Sequence, residues 1–134
     1  MKIYIEHTID AGHRIVGHKG KCARLHGHTY RFEIWLEAMA LSTPGFVVDF
    51  GDIKDLLNEW DHRMLLWDQD PIMDGPEPQI WLAQKYGVTL VPFNPTAERM
   101  AGHIREEIIS EYPFLDGGVV RLWETPKAYA EVTW

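Results

Sequence analysis

Polar and apolar residues alternate from Lys2 to Ile9, placing Ile3, Ile5 and His7 on one face, the pattern of a half-buried strand. A loop follows from Asp10 to Leu25, opened by Gly12, Gly17 and Gly20. Alternation resumes from His26 to Ala38, where Tyr30, Phe32, Ile34 and Leu36 share a face with His26 and His28. These two strands are expected to pair as an antiparallel ribbon, with Ser42-Thr43-Pro44-Gly45 forming a turn beyond them. The period then changes. Asp49 is placed to cap a helix with Asp52 in its first turn, and Ile53, Leu56, Leu57 and Trp60 supply its apolar stripe. Trp60-Asp61-His62 closes that segment. Leu66 to Phe93 is irregular, with Pro71, Pro76, Pro78 and Pro92, and carries at most a short helix over Gln79 to Lys85. Asn94 and Pro95 are expected to start a second helix whose buried row is Met100, Ile104 and Ile108. Val119 to Glu124 and Ala128 to Trp134 complete the order as two more strands.

That order predicts an α+β fold: a four-stranded antiparallel sheet with two helices on one face, as one domain over residues 1–134, with a long inserted loop at about 67–93. Hydrophobic residues at 46% and charged residues at 25% suit a globular protein with a real core. No apolar run approaches the roughly 20 residues of a membrane span, and the charged, alternating N-terminus reads as a strand and not as a signal peptide. One cysteine excludes an intramolecular disulfide and points to the reducing cytoplasm.

A net charge of −7 argues against a nucleic-acid binder. The charge is uneven, however. Between Ala11 and Tyr30 there is no carboxylate, while Arg14, Lys19, Lys21 and Arg24 all lie there, which suggests an anionic ligand such as a phosphate.

Candidate chemistry gathers in the same stretch. His26 and His28, one residue apart in a strand, face one side and can meet at one point. His13 would complete a three-imidazole site with an open position, the arrangement of a catalytic zinc, where a structural site is closed by four protein ligands. Zinc is preferred over copper or iron on grounds of availability and neutral imidazole ligation. Cys22 is either a fourth ligand or a thiol whose neighbours Lys21 and Arg24 favour the reactive thiolate. Asp61-His62 reads as a helix-end pair or, beside Cys22, as a proton-transfer couple. Glu124 ends an otherwise apolar strand, either at the solvent edge or placed to accept hydrogen bonds from a ligand. His7, His18 and His103 show no partner pattern and are read as surface or core residues.

Taken together, His13, Cys22-x-x-x-His26-Gly27-His28-x-Tyr30, Val48-Asp49-Phe50, Asp61-His62, Pro95-Thr96-x-Glu98 and Glu124-Thr125 resemble the 6-pyruvoyltetrahydropterin synthase family. The cysteine ahead of His-Gly-His looks most like the 6-carboxy-5,6,7,8-tetrahydropterin synthase branch, which serves queuosine and other 7-deazapurines. The resemblance implies a tunnelling fold, with a barrel completed by oligomerisation into trimers or hexamers and active sites between subunits. It implies Zn2+ on His13, His26 and His28, Cys22 as proton acceptor, and Asp61 and His62 as a relay with it, contributed from a neighbouring subunit. Glu124, with Thr125, would anchor the pterin, and Lys21 and Arg24 the triphosphate. The implied reaction is a zinc-dependent lyase step converting 7,8-dihydroneopterin triphosphate to 6-carboxytetrahydropterin with loss of triphosphate and acetaldehyde. A 6-pyruvoyl product and a non-catalytic zinc- or pterin-binding protein are the alternatives. The chain departs from the family at Ile9-Asp10-Ala11-Gly12, where Phe-x-Ala-Ala is usual, and in the longer, proline-rich stretch from Trp67 to Phe93.

Overall fold

The structure is a computed structural model and describes residues 1–75 and 84–134. Six strands, β1 (Lys2–His13), β2 (His26–Glu37), β3 (Met64–Trp67), β4 (Val88–Val91), β5 (Gly117–Thr125) and β6 (Ala128–Thr133), form one sheet in the order β4-β3-β1-β2-β5-β6. The expected antiparallel set β1-β2-β5-β6 is present. The sheet is nevertheless six-stranded and mixed, because β3 and β4 extend it by parallel pairing. Both added strands are four residues long, too short for alternation to distinguish them from a loop, and both fall at the ends of the stretch read as an insertion. Of the helix expected over Gln79 to Lys85, residues 79–83 lie outside the described part, and Gln84 and Lys85 are helical.

β1 also runs four residues further than its alternation implied. Asp10, Ala11, Gly12 and His13 pair with Thr29, His28, Gly27 and His26, so the first histidine sits on a strand and not in the loop. The ladder with β2 holds Gly12 extended where its own propensity is weak.

Helix α1 (Phe50–Asn58) starts as expected, with the Asp49 carboxylate accepting from Gly51 N at 2.8 Å and Asp52 in the first turn. Helix α2 (Ala97–Glu111) is capped by Thr96, whose side chain accepts from Arg99 N at 3.4 Å, and not by Asn94. The Asn94 amide is engaged elsewhere. It accepts from Val16 N at 3.0 Å and donates to Val16 O at 2.9 Å, tying the glycine-rich loop to the start of α2.

Both helices cover one sheet face. Ile5, Ile9, Phe32, Ile34, Leu36, Val120 and Leu122 pack with Ile53 and Leu57 of α1 and Met100, Ile104 and Ile108 of α2. Each fully buried aliphatic side chain contributes about 1.5–3 kcal/mol. On the opposite face Arg121 lies over Trp35 and Tyr129, Arg31 over Trp123, and Glu33 accepts from both guanidinium groups. Among the described residues no helix is long and apolar enough to cross a membrane.

Candidate functional site

His13 and His26 are direct cross-strand partners at the ends of β1 and β2, and His28 is two residues further along the same face. One ligand atom from each imidazole lies within 4.8 Å of the other two. Gly27 between the two β2 histidines permits this closeness of strands: a Cβ there would stand 3.2 Å from Ala11 O.

The tautomers follow from the partners. His13 Nδ1 is 2.7 Å from Pro95 O, and His26 Nδ1 is 2.7 Å from Arg24 O; a carbonyl only accepts, so each Nδ1 carries a proton. Each Nε2 then presents a lone pair, and these two lone pairs face one another at 3.1 Å. His28 Nε2 is buried with no hydrogen-bond partner among the described residues, standing 3.7 Å from Glu124 Oε1. Burial lowers the pKa of His13 and of His28; Glu124 opposes this at both, and the Pro95 carbonyl does so at His13. Three imidazoles thus converge, and the Nε2 lone pairs of His13 and His26 meet no donor among the described residues. Such a set fits a borderline divalent cation such as zinc, and the two carbonyls are the outer partners that orient metal-binding histidines.

Cys22 stands outside that three-histidine cluster. It sits in a single 3-10 turn (Lys21–Ala23), half-buried, and its carbonyl accepts from Ile15 N at 2.8 Å. Cys22 lines a cavity of about 280 Å3 together with Glu124, Thr96, Glu98, His18 and Tyr129. Glu124 also faces a second cavity of about 600 Å3, shared with His28 and Thr125. Lys21 and Arg24 are exposed beside this end of the molecule, and the Arg24 carbonyl is the group that holds His26.

Asp61 and His62 are attached to β1 by two bonds: Asp61 Oδ1 accepts from Asp10 N at 2.9 Å and His62 N donates to Asp10 O at 2.7 Å. His62 is held at φ 54°, a left-handed conformation uncommon for a residue with a side chain. Its ring is exposed, with Nε2 3.8 Å from Asp61 Oδ2. His62 lines a cavity of about 500 Å3 with His28, Gly12 and Tyr86, a different cavity from the one holding Cys22. Within one chain, therefore, Cys22 and Glu124 meet on one wall, and His62 stands on another.

Two groups at the site carry features that their place in the sequence does not show. Tyr30, wholly buried, packs edge-on against His13 and His28 at centroid distances of 5.8 and 5.5 Å, and its hydroxyl has no hydrogen-bond partner among the described residues. Burial pushes that phenol well above its ordinary pKa. The strand period places it on the histidine face, two residues beyond His28, but does not show its burial or its lack of a partner. The second group is Asp70. Its buried Oδ2 stands 3.2 Å from Arg14 Nε and its Oδ1 accepts from Ile72 N at 2.9 Å. Asp-Pro marks a turn in sequence, but nothing local names Arg14 as the partner. The pairing withdraws Arg14 from the free cations of the loop.

The family model described as 6-pyruvoyl tetrahydropterin synthase matches residues 2–133 of the chain. The 6-carboxy-5,6,7,8-tetrahydropterin synthase of Rickettsia felis is 40% identical over 134 residues, covering 92% of this chain and 93% of that protein. The protein of the same name from Haemophilus influenzae is 34% identical, covering 97% and 96%. Among solved structures, 6-pyruvoyl tetrahydropterin synthase from Plasmodium vivax superposes with a TM-score of 0.71 at 20% identity, over 100% of this chain and 97% of that one. The Plasmodium falciparum enzyme does so at 0.72 and 17%, with the same coverage. The family match spans nearly all of the chain, the curated relatives cover almost their full lengths, and the solved structures share the fold: the chain belongs to the 6-pyruvoyl tetrahydropterin synthase family.

Proposed function

We propose that the protein is a zinc-dependent 6-carboxy-5,6,7,8-tetrahydropterin synthase, converting 7,8-dihydroneopterin triphosphate with loss of triphosphate and acetaldehyde, in the cytoplasmic route to queuosine and other 7-deazapurines. The observation that carries this reading is the convergence of three imidazoles, with ligand atoms within 4.8 Å of one another, and of Glu124, which stands 3.7 Å from His28 and shares a cavity with Cys22. The names of the curated relatives support the branch.

In this reading His13, His26 and His28 hold zinc, which when bound polarises the side-chain oxygens of the substrate and acidifies the neighbouring C–H groups. Glu124 accepts hydrogen bonds from the amino and ring N–H groups of the pterin, fixing its orientation, with Thr125 beside it. Cys22 takes the proton from the substrate side chain. His62, steadied by Asp61, exchanges protons with it, and because the two line different cavities in one chain, the relay is completed by a neighbouring subunit in a trimer or hexamer. Lys21 and Arg24 neutralise the triphosphate.

Incubating the purified protein with zinc and dihydroneopterin triphosphate, followed by mass spectrometry, tests this directly. The expected product is 6-carboxytetrahydropterin. A 6-pyruvoyl product would assign the sister activity, and tight binding without turnover a non-catalytic role. Cys22→Ala is expected to lose turnover while keeping its zinc.

A further inference from the structure

We infer that His18 is a substrate-contacting residue, donating its Nε2–H to the phosphate-bearing end of the ligand that occupies the Cys22–Glu124 cavity. The inference rests on the reading of that cavity as the dihydropterin triphosphate site. In sequence His18 is an isolated histidine on a glycine-rich loop with no partner. The structure gives it a fixed place, on the wall of the cavity that also holds Cys22, Glu98 and Glu124.

Its donor role follows from its neighbours. Gly20 N donates to His18 Nδ1 at 2.8 Å, so that nitrogen presents its lone pair to the backbone, and the proton of the neutral ring resides on Nε2. The ring has no second lone pair to offer, so it acts neither as a base nor as a metal ligand while this bond stands. The loop is built to keep it. A Cβ on Gly20 would stand 2.9 Å from His18 Cε1, so the imidazole folds over this residue only because it is glycine. His18 N donates to Ile15 O at 3.3 Å, Ile15 N to Cys22 O at 2.8 Å, and Ala23 N to Gly20 O at 3.1 Å. The same backbone bonds that set Cys22 in its turn therefore set His18 as well.

The cavity lining joins groups of different character. Glu98 and Glu124, from α2 and β5, offer acceptors for N–H groups. The loop offers His18, followed by Lys19 and Lys21, in a stretch without a carboxylate from Ala11 to Tyr30. A ligand whose heterocycle donates to Glu124 is met on the loop side by the imidazole N–H of His18, with Lys19 and Lys21 next along the chain outside the cavity lining.

Steady-state kinetics with dihydroneopterin triphosphate, alongside equilibrium binding of unphosphorylated dihydroneopterin, test the assignment on zinc-loaded protein. His18→Leu is expected to raise KM for the triphosphate about ten-fold or more, the size of one lost hydrogen bond to a charged group, with kcat within about two-fold. It should leave dihydroneopterin affinity and zinc content unchanged. His18→Gln, whose amide can supply the N–H, should recover most of the loss. An unchanged KM in His18→Leu overturns the inference, as does an equal loss of affinity for the phosphorylated and unphosphorylated pterins, which would mean that the loop had merely shifted. A parent protein that neither binds nor turns over the triphosphate would overturn the proposed function first, and this inference with it.

Discussion

Asp70→Ala removes the carboxylate by which the segment after β3 is anchored to the residue next to the first histidine. The Asp70 side chain is 0% exposed and that of Arg14 is 23% exposed, with Oδ2 and Nε 3.2 Å apart. The alanine variant leaves a guanidinium in a largely dry site without its counter-charge. Breaking a fully buried pair costs about 3–5 kcal/mol, and the residual water access of Arg14 reduces that to about 1–3 kcal/mol. The same substitution removes the acceptor for Ile72 N at the start of the 3-10 turn (Pro71–Met73), about 1 kcal/mol more. The sum is about 2–4 kcal/mol, which for a chain of this size is a fall in Tm of about 8–16 °C. Urea unfolding should show the loss as a lower midpoint at unchanged slope. In a double-mutant cycle, Arg14→Met should offset part of the cost, because removing both charges leaves none stranded. A loss below about 0.5 kcal/mol in Asp70→Ala, or simple additivity with Arg14→Met, would refute the reasoning; either result would mean that the segment is a detachable insertion and not a buttress of the strand that carries His13.

Tyr30→Phe deletes a buried hydroxyl without a partner among the described residues, so the metal-free protein should become more stable by about 1 kcal/mol, read as a raised urea midpoint; a drop of that size would contradict this. Because burial lowers the pKa of His13 and His28 below the usual 6.5, the unfolded chain takes up protons there that the folded chain resists. The metal-free protein should accordingly hold its stability above pH about 6.5 and lose it as the pH falls below, and equal unfolding midpoints at pH about 7.5 and about 5.5 would contradict this. Zinc at about a hundred times its Kd should stabilise the parent by about 2.7 kcal/mol, and at that same concentration His28→Ala should lose most of the shift in Tm; an equal shift in the variant would remove His28 from the ligand set.

Much of this molecule is written locally. The alternation through Tyr30, Phe32, Ile34 and Leu36 names the buried face of β2, and the same period carries His26 and His28 to one side, because a strand repeats every two residues whatever it pairs with. Asp49 caps α1 within three residues of chain, so its role is also legible without a fold. His13 is intermediate: the residue type is suggestive, but its place opposite His26 exists only because β1 extends through Gly12 along the β2 ladder. Other features depend on partners far away in the chain. Asn94 looks like a helix cap until Val16 engages its amide, and the cap passes to Thr96. Strands β3 and β4 have too few residues to show a period, and they become strands by pairing beside β1. Asp70 gains its meaning from Arg14, and Tyr30 its unpaired hydroxyl from the core closing over it. His18 shares a wall with Cys22 and Glu124 because a loop folds back on itself over Gly20. The sequence by itself determined which residues could bind a metal and which faces would be buried, since side-chain chemistry and backbone period are local properties. Which of those residues meet, and which polar atoms are left without a partner, was decided only by the tertiary structure, because burial and long-range pairing exist only once distant segments have packed.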